Sequence, residues 1–148
     1  MDESPGLAND AALIEQSLAA LAEAGVEIRY ALFERFFAAY PERRASFLNL
    51  EVSSIRMTDE TLQMMHGLAA GENWVGPLVN ELSFTHRNYG VLPDAEYDAF
   101  IDMTVEAVLA VAGNVSALAW RRQAERLKLM VATARREWTR VMPGAVSA

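Results

Sequence analysis

The sequence predicts an all-α single domain. Apolar residues recur at helical spacing through most of the 148 residues, and no segment alternates apolar and polar side chains as a strand does. Proline and Gly-Asn breaks separate the periodic stretches. The length suits one domain with a sizeable core. Its expected limits are a flexible segment over 1–9, the domain over 10–141 and a tail over 142–148.

Each element has its own signals. Asn9-Asp10 can cap a first helix through about Ala24, with Leu13, Ile14, Leu18 and Leu21 on one face and Gly25 as its stop. A second helix runs from about Val26 to Tyr40 and buries Ile28, Leu32, Phe33, Phe36 and Phe37. Pro41 ends it and is well placed to begin a short turn, Pro41 to Ser46. Phe47 to Arg56 reads as a loop, and Thr58-Asp59-Glu60 as the start of a helix through about Ala70. After the break Gly71-Glu72-Asn73, a helix near Val75 to Asn88 carries His86. Pro93-Asp94 opens another to about Ala112, with Tyr97, Phe100, Ile101, Thr104, Val105 and Val108 at helical spacing. Gly113-Asn114 breaks the chain before a last long helix, about Val115 to Val141.

Composition excludes several classes of function. Thirteen basic residues against twenty acidic ones leave a net charge of −7, which argues against general affinity for nucleic acid or anionic membrane. The basic stretch Arg121 to Arg140 is interrupted by Glu125 and Glu137 and reads as a solvated helix face. The most apolar region, Phe100 to Trp120, contains Asp102 and Glu106, so no membrane span is expected. The acidic start Met1-Asp2-Glu3-Ser4-Pro5-Gly6 lacks the regions of a signal peptide, and the expected compartment is the cytoplasm. Without cysteine there are no disulfides, thiolate metal sites or thioether-linked chromophores.

His86 is one of two histidines and lies on a helix marked by Leu78, Val79, Leu82 and Phe84. An imidazole on an apolar face needs partners for its ring nitrogens, since an unmet polar group there costs about 1–3 kcal/mol. A backbone carbonyl is the plain partner and a metal ion the chemically telling one.

From about Leu13 to Trp138 the sequence resembles the globin family, above all bacterial single-domain haemoglobins and the haem domains of flavohaemoglobins. The first matching stretch is Leu32-Phe33-Glu34-Arg35-Phe36-Phe37-Ala38-Ala39-Tyr40-Pro41-Glu42-Arg43-Arg44-Ala45-Ser46-Phe47, similar to the globin second helix, corner proline and haem-packing phenylalanine. The second is His86 with Tyr89-Gly90-Val91-Leu92-Pro93 and Tyr97, similar to the proximal-histidine segment. The third is Trp120 near the start of the last helix. The resemblance implies a globin-like three-over-three helical sandwich holding haem b, with His86 as the iron ligand. Haem is a flat, mostly apolar plate that needs apolar walls and a strong axial ligand. Phe47, Leu50, Leu82, Val91 and Tyr97 are the wall candidates, with core packing as the alternative for each.

The departures from the family bear on mechanism. Phe33 stands where the relatives place a tyrosine that hydrogen-bonds bound oxygen. Their distal glutamine falls at Met57 or Thr58, and the next inward position at Thr61 or Leu62. Tyr97 matches the tyrosine behind the proximal histidine, but Arg135 takes the place of the glutamate that accepts the histidine N–H, so a backbone carbonyl is the expected acceptor. Both changes argue against nitric-oxide dioxygenase or peroxidase chemistry. His66 is expected at the periphery. Met57, Met64 and Met65 offer a methionine that can line the pocket or bind iron, with soft core packing as the plainer role. Arg56, Arg87 and Asn88 are candidates for haem propionates.

The expected function is reversible binding of a diatomic gas (O2, CO or NO) as a carrier, scavenger or sensor module. A homodimer and a reductase or signalling partner in trans are left open. The alternatives are a haem enzyme acting with a separate reductase, and a globin-shaped protein without haem that binds a partner.

Overall fold

The computed structural model describes residues 4–86 and 92–141. Among them all regular structure is helical: α1 (Ser4–Ala24), α2 (Arg29–Ala39), a 3-10 helix (Pro41–Ser46), α3 (Leu50–Ala69), α4 (Val75–His86), α5 (Asp94–Ala112) and α6 (Ala117–Val141). The breaks follow the turn residues. Gly25 and Gly113 adopt φ of 68° and 86°, a left-handed conformation that a side chain resists.

Two helix starts lie more than one turn before the sequence expectation. The first helix begins at Ser4, so Asn9 and Asp10 lie inside it. Asp10 is 1% exposed and accepts hydrogen bonds from Arg122 Nε at 2.7 Å, Arg122 Nη2 at 2.9 Å and Gln123 Nε2 at 3.0 Å. Tertiary pairing with α6, rather than capping, is what this carboxylate does. The second difference is the stretch expected as a loop from Phe47 to Arg56, most of which belongs to α3. Asn49 is its cap, with the side-chain oxygen accepting from Val52 N at 3.2 Å, and Thr58-Asp59-Glu60 therefore falls mid-helix. Asn49→Ala is expected to cost about 1 kcal/mol of stability, measured by urea unfolding.

The larger core joins Ile14 and Leu21 of α1, Leu62, Met65 and Leu68 of α3, Val75 and Val79 of α4, Val105 and Val108 of α5, and Trp120, Ala124 and Leu127 of α6. Met64 and Met65 pack in this core, as soft side chains commonly do. A second cluster gathers Leu32, Phe33 and Phe36 of α2 and Phe100 of α5, with Phe37, Tyr40, Phe47, Leu50, Met57 and Met103 against it. Helix α4 packs chiefly on α6 and touches α3 only lightly among the described residues.

The basic residues of α6 depart from a purely solvated face. Arg126 donates to the Leu68 carbonyl at 3.1 Å, Lys128 pairs with Asp102 at 3.0 Å, and Arg122 holds Asp10. Their periodicity signals a helix whose long cations reach back to neighbouring elements. No described helix is long and apolar enough to cross a membrane.

Candidate functional site

Helix α5 links two groups of side chains picked out by the sequence. Tyr97 stands beside His86, with ring centres 6.1 Å apart and the rings edge to face. One turn later Phe100 meets Phe33 at 5.3 Å and Phe36 at 5.5 Å. Tyr97 and Phe100 are three residues apart, so the imidazole and the aromatic cluster both meet one face of α5.

The cluster is built from α2, the 3-10 turn and α3. Phe47 follows the turn and packs edge to face on Phe33 at 5.7 Å and on Phe37 at 5.5 Å. The start of α3 is held on α2 by buried Arg29, which bonds Ser54 Oγ at 2.9 Å, Glu51 at 3.0 Å and Glu27 at 2.7 Å. That anchor fixes the helix so that Leu50 and Met57, seven residues apart on one face, both reach the cluster. Across the turn, Arg43 pairs with buried Glu96 at 2.6 Å, fixing the start of α5 next to Tyr97.

The alternatives for α3 now separate. Met57 packs against the cluster of Leu32, Phe33, Phe36 and Phe100, whereas Leu62 and Leu82 belong to the larger core. Thr61 is buried and spends its hydroxyl on the Met57 carbonyl at 2.7 Å. Thr58 is 4% exposed, and its Oγ1 finds no partner among the described residues. Ser53 was not among the sequence candidates: it is half-buried on α3, three residues after Leu50 and four before Met57, and so shares their side of the helix. The Asn49 cap was the signal that would have set this register. Thr58→Val should stabilise the ligand-free chain by about 1 kcal/mol in thermal unfolding, because it removes a buried hydroxyl without a partner. A loss of stability instead would show that the hydroxyl is bonded.

At the end of α4, His86 Nδ1 donates to the Leu82 carbonyl at 2.8 Å. A carbonyl only accepts, so the proton sits on Nδ1, and Nε2 is the basic nitrogen of the neutral ring. Arg135 of α6 lies over the Tyr97 ring at 4.3 Å and donates to the Leu92 carbonyl and to Asp94. Burial pushes the Arg135 pKa below its ordinary value, and burial, helped by the nearby Glu96 charge, raises that of Tyr97. Tyr97 is therefore a neutral phenol.

Other candidates lie elsewhere. His66 is half-buried and meets Glu15 of α1 at 2.8 Å. Phe84, expected on the inner face of its helix, is 39% exposed and packs on Trp138 at 4.6 Å. Burial at four-residue intervals along α4 places Val75, Val79 and Ser83 inward instead. Arg56 is exposed and pairs with Glu60 at 3.6 Å. Val91, Arg87, Asn88 and the Tyr89-Gly90 pair fall outside the described residues. Among the described residues no group of three or more His, Asp or Glu side chains could hold a metal ion.

Compared with protein-family models, curated proteins and solved structures, the chain matches none.

Proposed function

We propose that the protein is a globin that binds haem b in a three-over-three helical sandwich and reversibly takes up a diatomic gas. The observation that carries the reading is the His86 ring. Its Nδ1 is committed to the Leu82 carbonyl at 2.8 Å, which orients the imidazole and supports Nε2 as the nitrogen that would hold the iron. The donor set fits haem iron, for which a neutral imidazole is a common protein ligand. The apolar cluster suits the plate: Phe33, Phe47, Leu50 and Met57 would face it on one side, with Tyr97 beside His86 on the other. Haem, when bound, supplies the iron at which the gas is held.

The chain's own residues favour binding over turnover. Phe33 has no hydroxyl to offer a bound gas, and it is enclosed by Phe37, Phe47 and Phe100. The carbonyl acceptor at Nδ1 is a weaker base than a carboxylate, so His86 remains a modest electron donor. Such a pocket holds carbon monoxide well relative to oxygen, because bound oxygen gains most from hydrogen bonds.

Titration of the chain with haemin tests the reading. One-to-one uptake with a sharp Soret band, and a ferrous form that binds carbon monoxide, is the expected result. A chain that stays colourless after gel filtration overturns it. Fast oxygen dissociation is expected from the apolar cluster, and a very slow rate would contradict that part.

A further inference from the structure

We infer that Arg135 is a positioning residue for His86, acting through Tyr97. Its functional consequence rests on His86 being an axial ligand; its premise is geometric. The Arg135 guanidinium donates to the Leu92 carbonyl and to the Asp94 carboxylate, so α6 grips the start of α5 on both sides of Pro93. The same group stacks 4.3 Å from the Tyr97 ring centre, within the range of a cation–π contact. Tyr97 in turn meets the His86 ring at 6.1 Å.

The neighbouring turn of α6 holds the other half of the frame. Trp138 Nε1 donates to the Asn80 carbonyl at 3.2 Å, and its ring packs on Phe84 at 4.6 Å. Two residues three apart on α6 thus hold α4 and α5, the helices that bracket the imidazole. Rotation of the His86 ring is limited at Nδ1 by the Leu82 carbonyl and at its edge by Tyr97, which Arg135 keeps in place.

The residue type matters. A planar fork can bond a carbonyl and a carboxylate while its face lies on a ring, which an ammonium cannot do. With its side chain 17% exposed, the cation is partly shielded from solvent and draws electron density away from the ligand side of the site. Arg135 therefore sets both the angle and the donor strength of the imidazole.

Histidine-ring NMR of the full chain tests this, since His66→Gln assigns the two rings. In the apo protein, Arg135→Gln is expected to shift and broaden the His86 signals and leave those of His66 in place. Arg135→Lys should restore them only in part. Asp94→Asn, which loosens the same guanidinium without touching α6, should produce a smaller shift and serves if Arg135→Gln does not fold. In the haemin-loaded, reduced protein, Arg135→Gln is expected to raise the iron–histidine stretching frequency and lower the midpoint potential. His86 signals that coincide with the parent's in Arg135→Gln, or in Asp94→Asn if only that variant folds, overturn the proposal. A parent chain that takes up no haemin overturns the haem reading instead, and the apo signals still decide the role of Arg135.

Discussion

Replacing His86 with glycine is expected to weaken haemin binding on the order of 100-fold, about 2.7 kcal/mol, and to blue-shift and broaden the Soret band. The expectation follows from the geometry of one ring. The Leu82 carbonyl holds Nδ1, so the basic nitrogen and its direction are set by the protein, and glycine removes both at once. Free imidazole should restore much of the spectrum of the glycine variant, because the missing group is then supplied from solution. His66→Gly is the control: its ring is engaged with Glu15 at 2.8 Å between α1 and α3, and its loss should leave the band unchanged. An unaltered Soret band in His86→Gly would remove His86 from the site.

Asp10→Ala is expected to cost about 3 kcal/mol and to lower Tm by roughly 10 °C. The carboxylate is 1% exposed, and it satisfies Gln123, itself fully buried, as well as Arg122. Truncation leaves the Gln123 amide donor without its acceptor inside the interface of α1 and α6. The hydrogen bond from Arg122, with a further one from Gln123, holds the Asp10 pKa below its ordinary value of 3.8. A carboxyl that titrates lower when folded binds its proton less readily in the native state than in the unfolded chain. Its contribution is therefore complete above the unfolded value and is lost as pH falls below about 3.8 toward the folded value. Urea midpoints measured from pH 6 down to pH 3 check this: the gap between the parent and Asp10→Ala should narrow at the acid end. A constant gap would assign the cost to packing alone.

Much of the helical order was legible because its signals are local. Pro41, Gly25, Gly71 and Gly113 punctuate the chain, and the apolar spacing of Phe100, Ile101, Thr104, Val105 and Val108 reads directly as a buried face. Two kinds of information were not local. Asp10 looks like a cap from sequence, and only the approach of Arg122, far along the chain, shows it to be a buried tie. Leu50 to Arg56 looks like a loop because Val52 and Ile55 are exposed apolar residues that break the inward pattern, while the Asn49 cap carries the start alone. That shift of one helix start decides which residues of α3 meet Phe33, and it moves Ser53 into view. The aromatic group of Phe33, Phe36, Phe37 and Phe47 was readable as a group, but its partner Phe100 and the anchoring by Arg29 required the fold. Arg135 stood out in sequence as a mismatch; its contacts with Leu92, Asp94 and Tyr97 give it a position of its own.

Helix α4 turns Val75, Val79 and Ser83 inward, packs Leu78 and Leu82 against the core, leans on α6 and barely touches α3 among the described residues. An element held chiefly by one neighbour opens at a lower free energy than the centre of the core, so its amides are expected to exchange without global unfolding. A group bound at His86 would stabilise this element in proportion to its own concentration over its dissociation constant. Occupancy and the order of α4 are then linked quantities: the protection of one short helix from hydrogen exchange reports how much of the protein is loaded.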